Sequence, residues 1–309
     1  MNRPRIGISA CLLGKKVRHN GEDKRVDWLV EELGKFVTWV PLCPEVQMGL
    51  GVPRKTMRLS GKPQTPQLLV RGTDENLTSL ALETSKRMMA PDLDLDSFIF
   101  KKDSPSCGLE RVKIYGKNDS PSRSAVGIFA SAVKTKYPTI PLIEEGRLTD
   151  LKQRELYVVR LFAFTELKRI PLKVAALQKF HQDYKLLLMA HAPDQYRMLG
   201  NLAANSSRKS VRDLLLNYQT DFLKSINRAP TRKQWFNVLQ HMMGYFKKTI
   251  PSGERQQLMS SMEEYRRGVI PLVAVLTLFK YLAQRHSVAY LLTQKLFQPY
   301  PKNLLLVQY

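Results

Sequence analysis

Ile6-Gly-Ile-Ser-Ala-Cys-Leu-Leu-Gly14 decides how this chain is read: a short apolar run ends abruptly in a turn, and the turn carries a cysteine. Residues 4 to 10 are expected to form a strand. The pattern recurs twice. Phe36-Val-Thr-Trp-Val-Pro-Leu42 opens into Cys43-Pro44-Glu45, and Phe98-Ile-Phe-Lys-Lys-Asp103 opens into Ser104-Pro-Ser-Cys-Gly108. In a parallel sheet such turns share the carboxyl edge, where ligands of open α/β folds sit. Cys11, Cys43 and Cys107 are the only cysteines among 309 residues. Three thiols on one edge suggest a metal or cluster site.

Working outward, apolar spacing predicts helices at about 23–34, 75–90 and 125–136, with a long one at about 148–168. Strands are expected at 36–42, 97–101, 112–115 and 138–145, and a strand or hairpin within 56–72. Strands alternating with helices give an α/β N-terminal domain with a mainly parallel sheet, over residues 1–168. Beyond Ile170-Pro171 the strand signal fades. Val174, Leu177, His181, Tyr184, Leu188 and His191 recur on one helical face, and further helices are expected at about 194–204, 208–226, 231–247, 253–267 and 270–285. Residues 172–309 therefore read as an all-α C-terminal domain, with an extended arm from Pro299.

Apolar content of 43% suffices for ordinary cores, but the charge balance is unusual: 49 basic against 27 acidic side chains gives a net charge of +22 and a pI near 10.0. Such a balance points first to nucleic acid and second to an anionic membrane, with a merely solvated basic surface as the bland alternative. Residues 1–170 hold 29 Lys and Arg against 20 Asp and Glu, and residues 171–309 hold 20 against 7. The helical half carries the denser positive charge. Arg208-Lys209, Arg228, Arg232-Lys233, Lys247-Lys248 and Arg266-Arg267 form groups near helix ends that can track phosphates. No apolar stretch is long enough for a membrane span. Ile8-Ser-Ala-Cys11 imitates a lipoprotein cleavage box, but the apolar segment before it is too short for a signal sequence. A cytoplasmic location is expected, where cysteines stay reduced.

The spacings of 32 and 64 residues between the cysteines do not match the close pairs of a structural zinc site. A redox pair leaves the third cysteine idle, and a catalytic cysteine needs only one. A 4Fe-4S cluster takes four thiolates; held by three, it leaves one iron open as a Lewis acid. Three scattered buried cysteines remain the alternative. Gly49-Leu-Gly51 is too weak for a nicotinamide site and no ATP loop is seen, so neither cofactor is expected. Glu45, two residues from Cys43, lies within reach of anything bound there and suits proton transfer; its alternative is a helix N-cap or a surface carboxylate. Ser104 suits hydrogen bonding to a reacting group, and its alternative is a turn residue. Arg18, Asn20 and Lys101 are candidates for contact with a base or phosphate. Arg54 is either such a contact or a structural anchor. His181 and His191 read as core or interface residues, with RNA contact rather than metal binding as the alternative, and Tyr184, Tyr196 and Tyr218 as core rather than base-stacking residues.

Ser9-Ala-Cys-Leu-Leu-Gly14 with Val17-Arg18, Pro41-Leu-Cys-Pro-Glu45, Gly49-Leu-Gly-Val-Pro-Arg54 and Lys101-x-x-Ser104-Pro-Ser-Cys-Gly108 together resemble the TudS thiouracil desulfidase family, over residues 4 to 165. The second half, with Phe180-His181, Lys185-Leu-Leu-Leu-Met-Ala-His191 and Leu199-Gly200, is similar to the YbgA-like domain. The two-domain arrangement resembles RudS-type tRNA 4-thiouridine desulfidases. The resemblance implies a 4Fe-4S cluster on Cys11, Cys43 and Cys107, with Glu45 and Ser104 catalytic. His19-Asn20 departs from relatives that have an aromatic residue and Asp there, which bears on substrate contact at that point.

The expected activity is iron–sulfur-dependent conversion of 4-thiouridine in tRNA to uridine, C=S plus water giving C=O plus hydrogen sulfide, with no electron consumed. The expected partner is tRNA, held by the helical domain, with the base flipped into the pocket. Desulfurisation of free thiouracil and a non-catalytic RNA-binding iron–sulfur protein are the alternatives. A tRNA thiolase ranks lower, because it needs carbonyl activation.

Overall fold

The structure, a computed structural model, describes residues 3–73, 75–116, 119–204, 210–247 and 249–304. Two compact units divide the chain, Met1–Arg154 and Glu155–Tyr309.

The first unit is built on a four-stranded parallel sheet. Its strands are β1 (Arg5–Ser9), β2 (Thr38–Leu42), β5 (Ser97–Phe100) and β8 (Leu142–Glu144), in the order β2-β1-β5-β8. Ile6 pairs with Trp39 on one side and Ser97 on the other, and Ile99 pairs with Ile143. Central parallel strands are covered on both faces and read as continuous apolar runs; Ile6, Ile8, Phe98, Ile99 and Phe100 are fully buried. Gly7 is required here, since a Cβ would fall 2.3 Å from the Phe98 ring.

The hairpin expected within 56–72 is β3 (Met57–Lys62) with β4 (Thr65–Val70), and it belongs to a second, mixed sheet. There β6 (Val112–Tyr115) runs parallel to β3 and antiparallel to β7 (Pro121–Ala125), which gives the order β4-β3-β6-β7. β7 has no apolar alternation and was not expected; of its five residues only Ala125 is buried. The next helix, α3 (Ile128–Lys136), accordingly starts later than the apolar spacing predicts. α1 (Pro44–Gln47) and α2 (Thr78–Met89) complete the α elements that precede it. The helix expected at 23–34 is reduced to Trp28–Lys35, a wide turn followed by a tight one. Lys24 and Val26 instead donate their amides to Cys11 O (2.9 Å) and Leu12 O (3.0 Å), which ties this stretch to the first cysteine turn.

The division between the units falls within α4 (Leu151–Lys168) rather than at Ile170-Pro171. Glu155 and Glu166 on this helix accept hydrogen bonds from Tyr300 (2.9 Å) and Tyr184 (2.9 Å), so most of it belongs to the second unit. That unit is helical, with α5 (Val174–His191), α6 (Tyr196–Ala203), α7 (Val211–Ile226), α8 (Arg232–Gly244), α9 (Ser252–Arg267), α10 (Leu272–Arg285) and a short α11 (Ala289–Leu292). Ser210 caps α7 through the Asp213 amide, and Thr231 with Gln234 forms a capping box on α8. Phe180, Tyr184, Tyr218 and Phe222 pack as one aromatic cluster, with Phe180 stacked on Tyr184 at 4.3 Å. Tyr184 and Tyr218 are thus core residues, as is His191, whose Nδ1 donates to Arg228 O at 2.7 Å. His181 Nδ1 lies 2.9 Å from the Tyr218 hydroxyl. Burial holds both histidines down to about 4.

Several of the basic residues expected to track phosphates have protein partners. Arg228 grips Asp194 (2.7 and 2.9 Å), Arg266 grips Glu263 (2.7 and 2.6 Å), and Arg232 donates to Tyr265 O (3.1 Å) at the end of α9. Arg208, Lys209 and Lys248 lie outside the described residues, as does the last part of the expected arm, 305–309. Among the described residues no helix is long and apolar enough to cross a membrane.

Candidate active site at the strand ends

Three adjacent parallel strands deliver the three cysteines to one edge. β1 ends at Ser9, and the chain closes a tight turn over Ala10–Leu13 that leaves through Gly14 at φ 87°. β2 ends at Leu42, so Cys43 becomes the residue before α1, with Pro44 starting the helix. β5 ends at Phe100 and releases the loop to Cys107. Cys11 and Cys107 are buried and Cys43 is partly so. All three line a cavity of about 360 Å³ together with Glu45 and Ser104.

The loop bearing Cys107 is clamped from both sides. The Ser104 Oγ accepts from the amides of Ser106 (3.2 Å) and Cys107 (3.0 Å). The first amides of α3 satisfy the loop's carbonyls: Gly127 donates to Gly108 O (2.8 Å), Ile128 to Pro105 O (3.2 Å) and Ala130 to Ser106 O (3.1 Å). A Cβ at Gly127 would sit 2.4 Å from Ser106 O, so only glycine permits this approach. Ser104 therefore fills the turn role that the sequence leaves open to it. Its oxygen shapes the turn, and its hydroxyl proton points to Glu45 Oε1 at 3.4 Å.

Glu45 stands between the loops, with Oε2 3.4 Å from Cys43 Sγ and 3.5 Å from Arg54 Nη2. Arg54 is held behind it, its side chain only 7% exposed. The guanidinium also donates to Gly51 O (3.0 Å) and Val17 O (2.9 Å), and the Arg54 amide donates to His19 O (2.8 Å). Of the two readings open in the sequence, the geometry favours the anchor. Lys101 lines the cavity with its Nζ on Glu145 at 2.6 Å. Arg18 lines it too, donating to Glu22 (3.4 Å) and Asp23 O (3.3 Å). Asn20 is not brought to the cavity; its amide donates to Glu22 at 2.5 Å, and the neighbouring His19 lines the wall instead.

Two residues escaped the sequence reading. Ser9, buried at the end of β1, accepts the Lys101 amide (3.0 Å) and hydrogen-bonds Cys107. Glu145 receives the Lys102 amide (2.6 Å) as well as the Lys101 ammonium. A polar residue closing an apolar strand beside a cysteine is the signal that pointed to Ser9; Glu145 had none.

Burial, followed by the Glu45 carboxylate, pushes Cys11 up to about 11 and Cys43 up to about 12. Cys107 is raised well above an ordinary thiol by burial, then Glu45, and also by the other two thiols. Metal binding to these thiols would displace their protons. Among the described residues no three His, Cys, Asp or Glu groups meet closely enough to hold one ion. The three thiols line one cavity, and thiolate donors suit a thiophilic metal centre.

Residues 6–145 match the family model described as 2-thiouracil desulfurase. Residues 185–301 match the family described as protein of unknown function DUF1722. Over 149 residues the chain is 34% identical to the uncharacterized protein YbgA of Escherichia coli (strain K12), spanning 47% of this chain and 88% of that protein. The chain joins a domain of the 2-thiouracil desulfurase family to a YbgA-like domain. Every cavity residue named above falls inside the desulfurase match. A solved 4Fe-4S-dependent thiouracil desulfidase, TudS, is 26% identical, with 48% of this chain and 94% of that chain covered at a TM-score of 0.40.

Proposed function

We propose that this desulfidase uses a 4Fe-4S cluster on Cys11, Cys43 and Cys107 to remove sulfur from 4-thiouridine in tRNA. The observation that carries the reading is the composition of one cavity: three thiols, Glu45 and Ser104 lie beneath a wall that includes Arg18, Arg54, Lys55, Arg71, Lys101 and Lys102, against Glu45 and Asp103 as its acids. Soft sulfur donors facing one space fit an iron–sulfur cage. The excess of cations fits a phosphate-bearing substrate better than a free, uncharged base.

When bound with one iron lacking a protein ligand, such a cluster supplies a Lewis acid that draws electrons from a thiocarbonyl. The chain's residues do the rest. Glu45 accepts the proton of the attacking water at Oε1, the oxygen turned toward Ser104, and returns it to the leaving sulfur; the remaining hydroxyl proton follows as C=O forms, and the ring N–H is unchanged. Arg54, on the other carboxylate oxygen, holds Glu45 in place. Ser104 donates to the carboxylate or to the water. Lys101 and Arg18 bind the base or its phosphate. The sum is C=S and H₂O to C=O and H₂S, with no change of oxidation state.

The test is anaerobic purification with iron and sulfide quantified, followed by incubation with bulk tRNA. The near-ultraviolet absorbance of 4-thiouridine should fall as sulfide appears. Glu45→Ala should retain iron and lose turnover. Turnover of thiouracil alone, with tRNA untouched, would leave the free base as the substrate. Full activity in Glu45→Ala would remove its catalytic role.

A further inference from the structure

The second sheet has one covered face and one open face. Leu59, Leu68, Val70, Val112, Ile114 and Ala125 form the covered side, in one apolar cluster with residues of α2 and α3. Side chains alternate along a strand, so Arg58 and Lys62 of β3, Lys113 and Tyr115 of β6, and Arg71 just past β4 lie on the other side. Lys62, Arg71 and Lys113 are exposed, and Arg58 and Tyr115 are partly so.

This open face is organised. Two guanidinium groups lie against the Tyr115 ring, with Arg58 Cζ 5.1 Å and Arg71 Cζ 5.5 Å from its centroid. Arg71 also donates to the Tyr115 hydroxyl at 2.8 Å. Stacking of this kind holds arginine forks in fixed directions, ready for phosphate oxygens. Arg123 of β7, opposite Lys113 in the register, adds a further cation. Among the described residues Arg58 pairs with Asp119 and Arg123 with Asp103, and these ion pairs are largely solvent-exposed. Exposed pairs are worth about 0–1 kcal/mol, so a phosphate can replace either carboxylate.

The face is continuous with the reaction cavity. The link is Arg71, which both lines that cavity and lies against the Tyr115 ring. A membrane surface or a protein hot spot wants large apolar side chains. Among the described residues, none of the large hydrophobic side chains exposed to solvent comes from these four strands.

We propose that the open face of the second sheet is the track for the RNA strand flanking the reacting nucleotide. Phosphates would lie on Lys62, Arg58 and Lys113, and Arg71 would hand the strand over to the cavity. This inference rests on the tRNA reading above but places part of the RNA contact on the desulfurase domain rather than on the YbgA-like domain.

The test uses the full-length, cluster-loaded protein, total tRNA as the probe, and the double variant Lys62→Gln/Lys113→Gln. Neither residue lines the cavity, so the melting temperature and free thiouracil turnover serve as controls. Binding measured against salt concentration should be about tenfold weaker at ~0.15 M salt, and the slope of log K against log salt should be shallower by about 1.4, roughly 0.7 per lost phosphate contact. The charge-preserving Lys62→Arg/Lys113→Arg should bind as the parent does. If the parent desulfurises tRNA and the Gln variant binds with unchanged affinity and slope, this inference alone is overturned. If the parent neither binds tRNA nor acts on it, both readings fall. Binding of the parent to phosphatidylglycerol vesicles in preference to tRNA would overturn the inference in favour of a membrane surface.

Discussion

Arg54→Met isolates the contact on which the proposed chemistry depends. The methionine keeps most of the side chain's bulk and removes its charge and its donors. Two backbone carbonyls lose their partners, Gly51 O at 3.0 Å and Val17 O at 2.9 Å. Hydrogen bonds to charged groups contribute about 1.5–3 kcal/mol each. Glu45 loses a guanidinium 3.5 Å away, with both side chains nearly buried at 7% and 13% exposed. At about 4 Å and an effective dielectric near 20, Coulomb's law gives roughly 4 kcal/mol of attraction, of which desolvation cancels a large part. The Gly51 bond is exposed, so water can replace it; the expected total is about 4 kcal/mol of destabilisation, roughly 2 kcal/mol from Val17 O and roughly 2 kcal/mol shared with Glu45. A cycle of Arg54→Met, Glu45→Gln and the double variant measures that share directly. Urea unfolding in a Trp235→Phe background, which leaves Trp28 and Trp39 of the first unit as reporters, is the assay. A coupling below about 0.5 kcal/mol, within ordinary non-additivity, would refute the claim that Arg54 holds Glu45.

Three further outcomes rest on the same geometry. Ser104→Ala strips the acceptor from two amides that lie 3.2 and 3.0 Å away, so it should cost about 1–3 kcal/mol and lower iron retention as well as turnover; unchanged iron content would confine Ser104 to chemistry. Gly127→Ala forces a Cβ to within 2.4 Å of Ser106 O, and overpacking of this kind costs about 1–3 kcal/mol; the melting temperature and the iron stoichiometry should fall together. In the second unit, burial holds His191 down to about 4 against the usual 6.5. The unfolded chain therefore takes up a proton first as the pH drops. Stability is full above about 6.5, declines down to about 4 and is flat below; at about 1.4 kcal/mol per pH unit the loss is at most roughly 3 kcal/mol. Hydrogen exchange of α5 amides across that range reads the decline, and His191→Gln should remove its share, leaving the part that comes from His181, which burial also holds down to about 4.

The strand-to-cysteine turns were legible because two strong signals coincide in each of them: an apolar run that only a covered strand can use, and a cysteine at its end. Glu45 and Ser104 were legible by chain distance alone. What escaped depended on contacts between remote segments. β7 pairs through its backbone with little apolar patterning, and the stretch before Trp28 is pinned by the carbonyls of Cys11 and Leu12, which outcompete a helix that its spacing favoured. Asn20 illustrates the opposite limit. It sits close in sequence to Arg18, which reaches the cavity, yet a bend in the loop turns its amide to Glu22. Glu145 lies 44 residues from the lysine it holds, and no local pattern could have joined them.

Charge shows why counting and geometry lead to different places. By count, the helical half is the stronger candidate for RNA, with 20 basic residues against 7 acidic ones after residue 170. Yet Arg228, Arg232 and Arg266 are engaged with Asp194, the end of α9 and Glu263. Exposed pairs of this kind exchange readily with phosphate, so engagement alone does not disqualify them. Alignment with a reaction site discriminates better. A nucleotide delivered to the thiols must bring its neighbouring phosphates with it, and Arg71 both lines that cavity and belongs to a stacked array leading away from it. Net charge governs how strongly the chain attracts a polyanion at long range, whereas cations contiguous with the cavity decide which nucleotide enters. Under the proposed tRNA reading, the helical unit would contribute attraction and the second sheet register. A salt titration separates them, because the variant that loses register should lose turnover on tRNA even at low ionic strength, where long-range attraction is strongest.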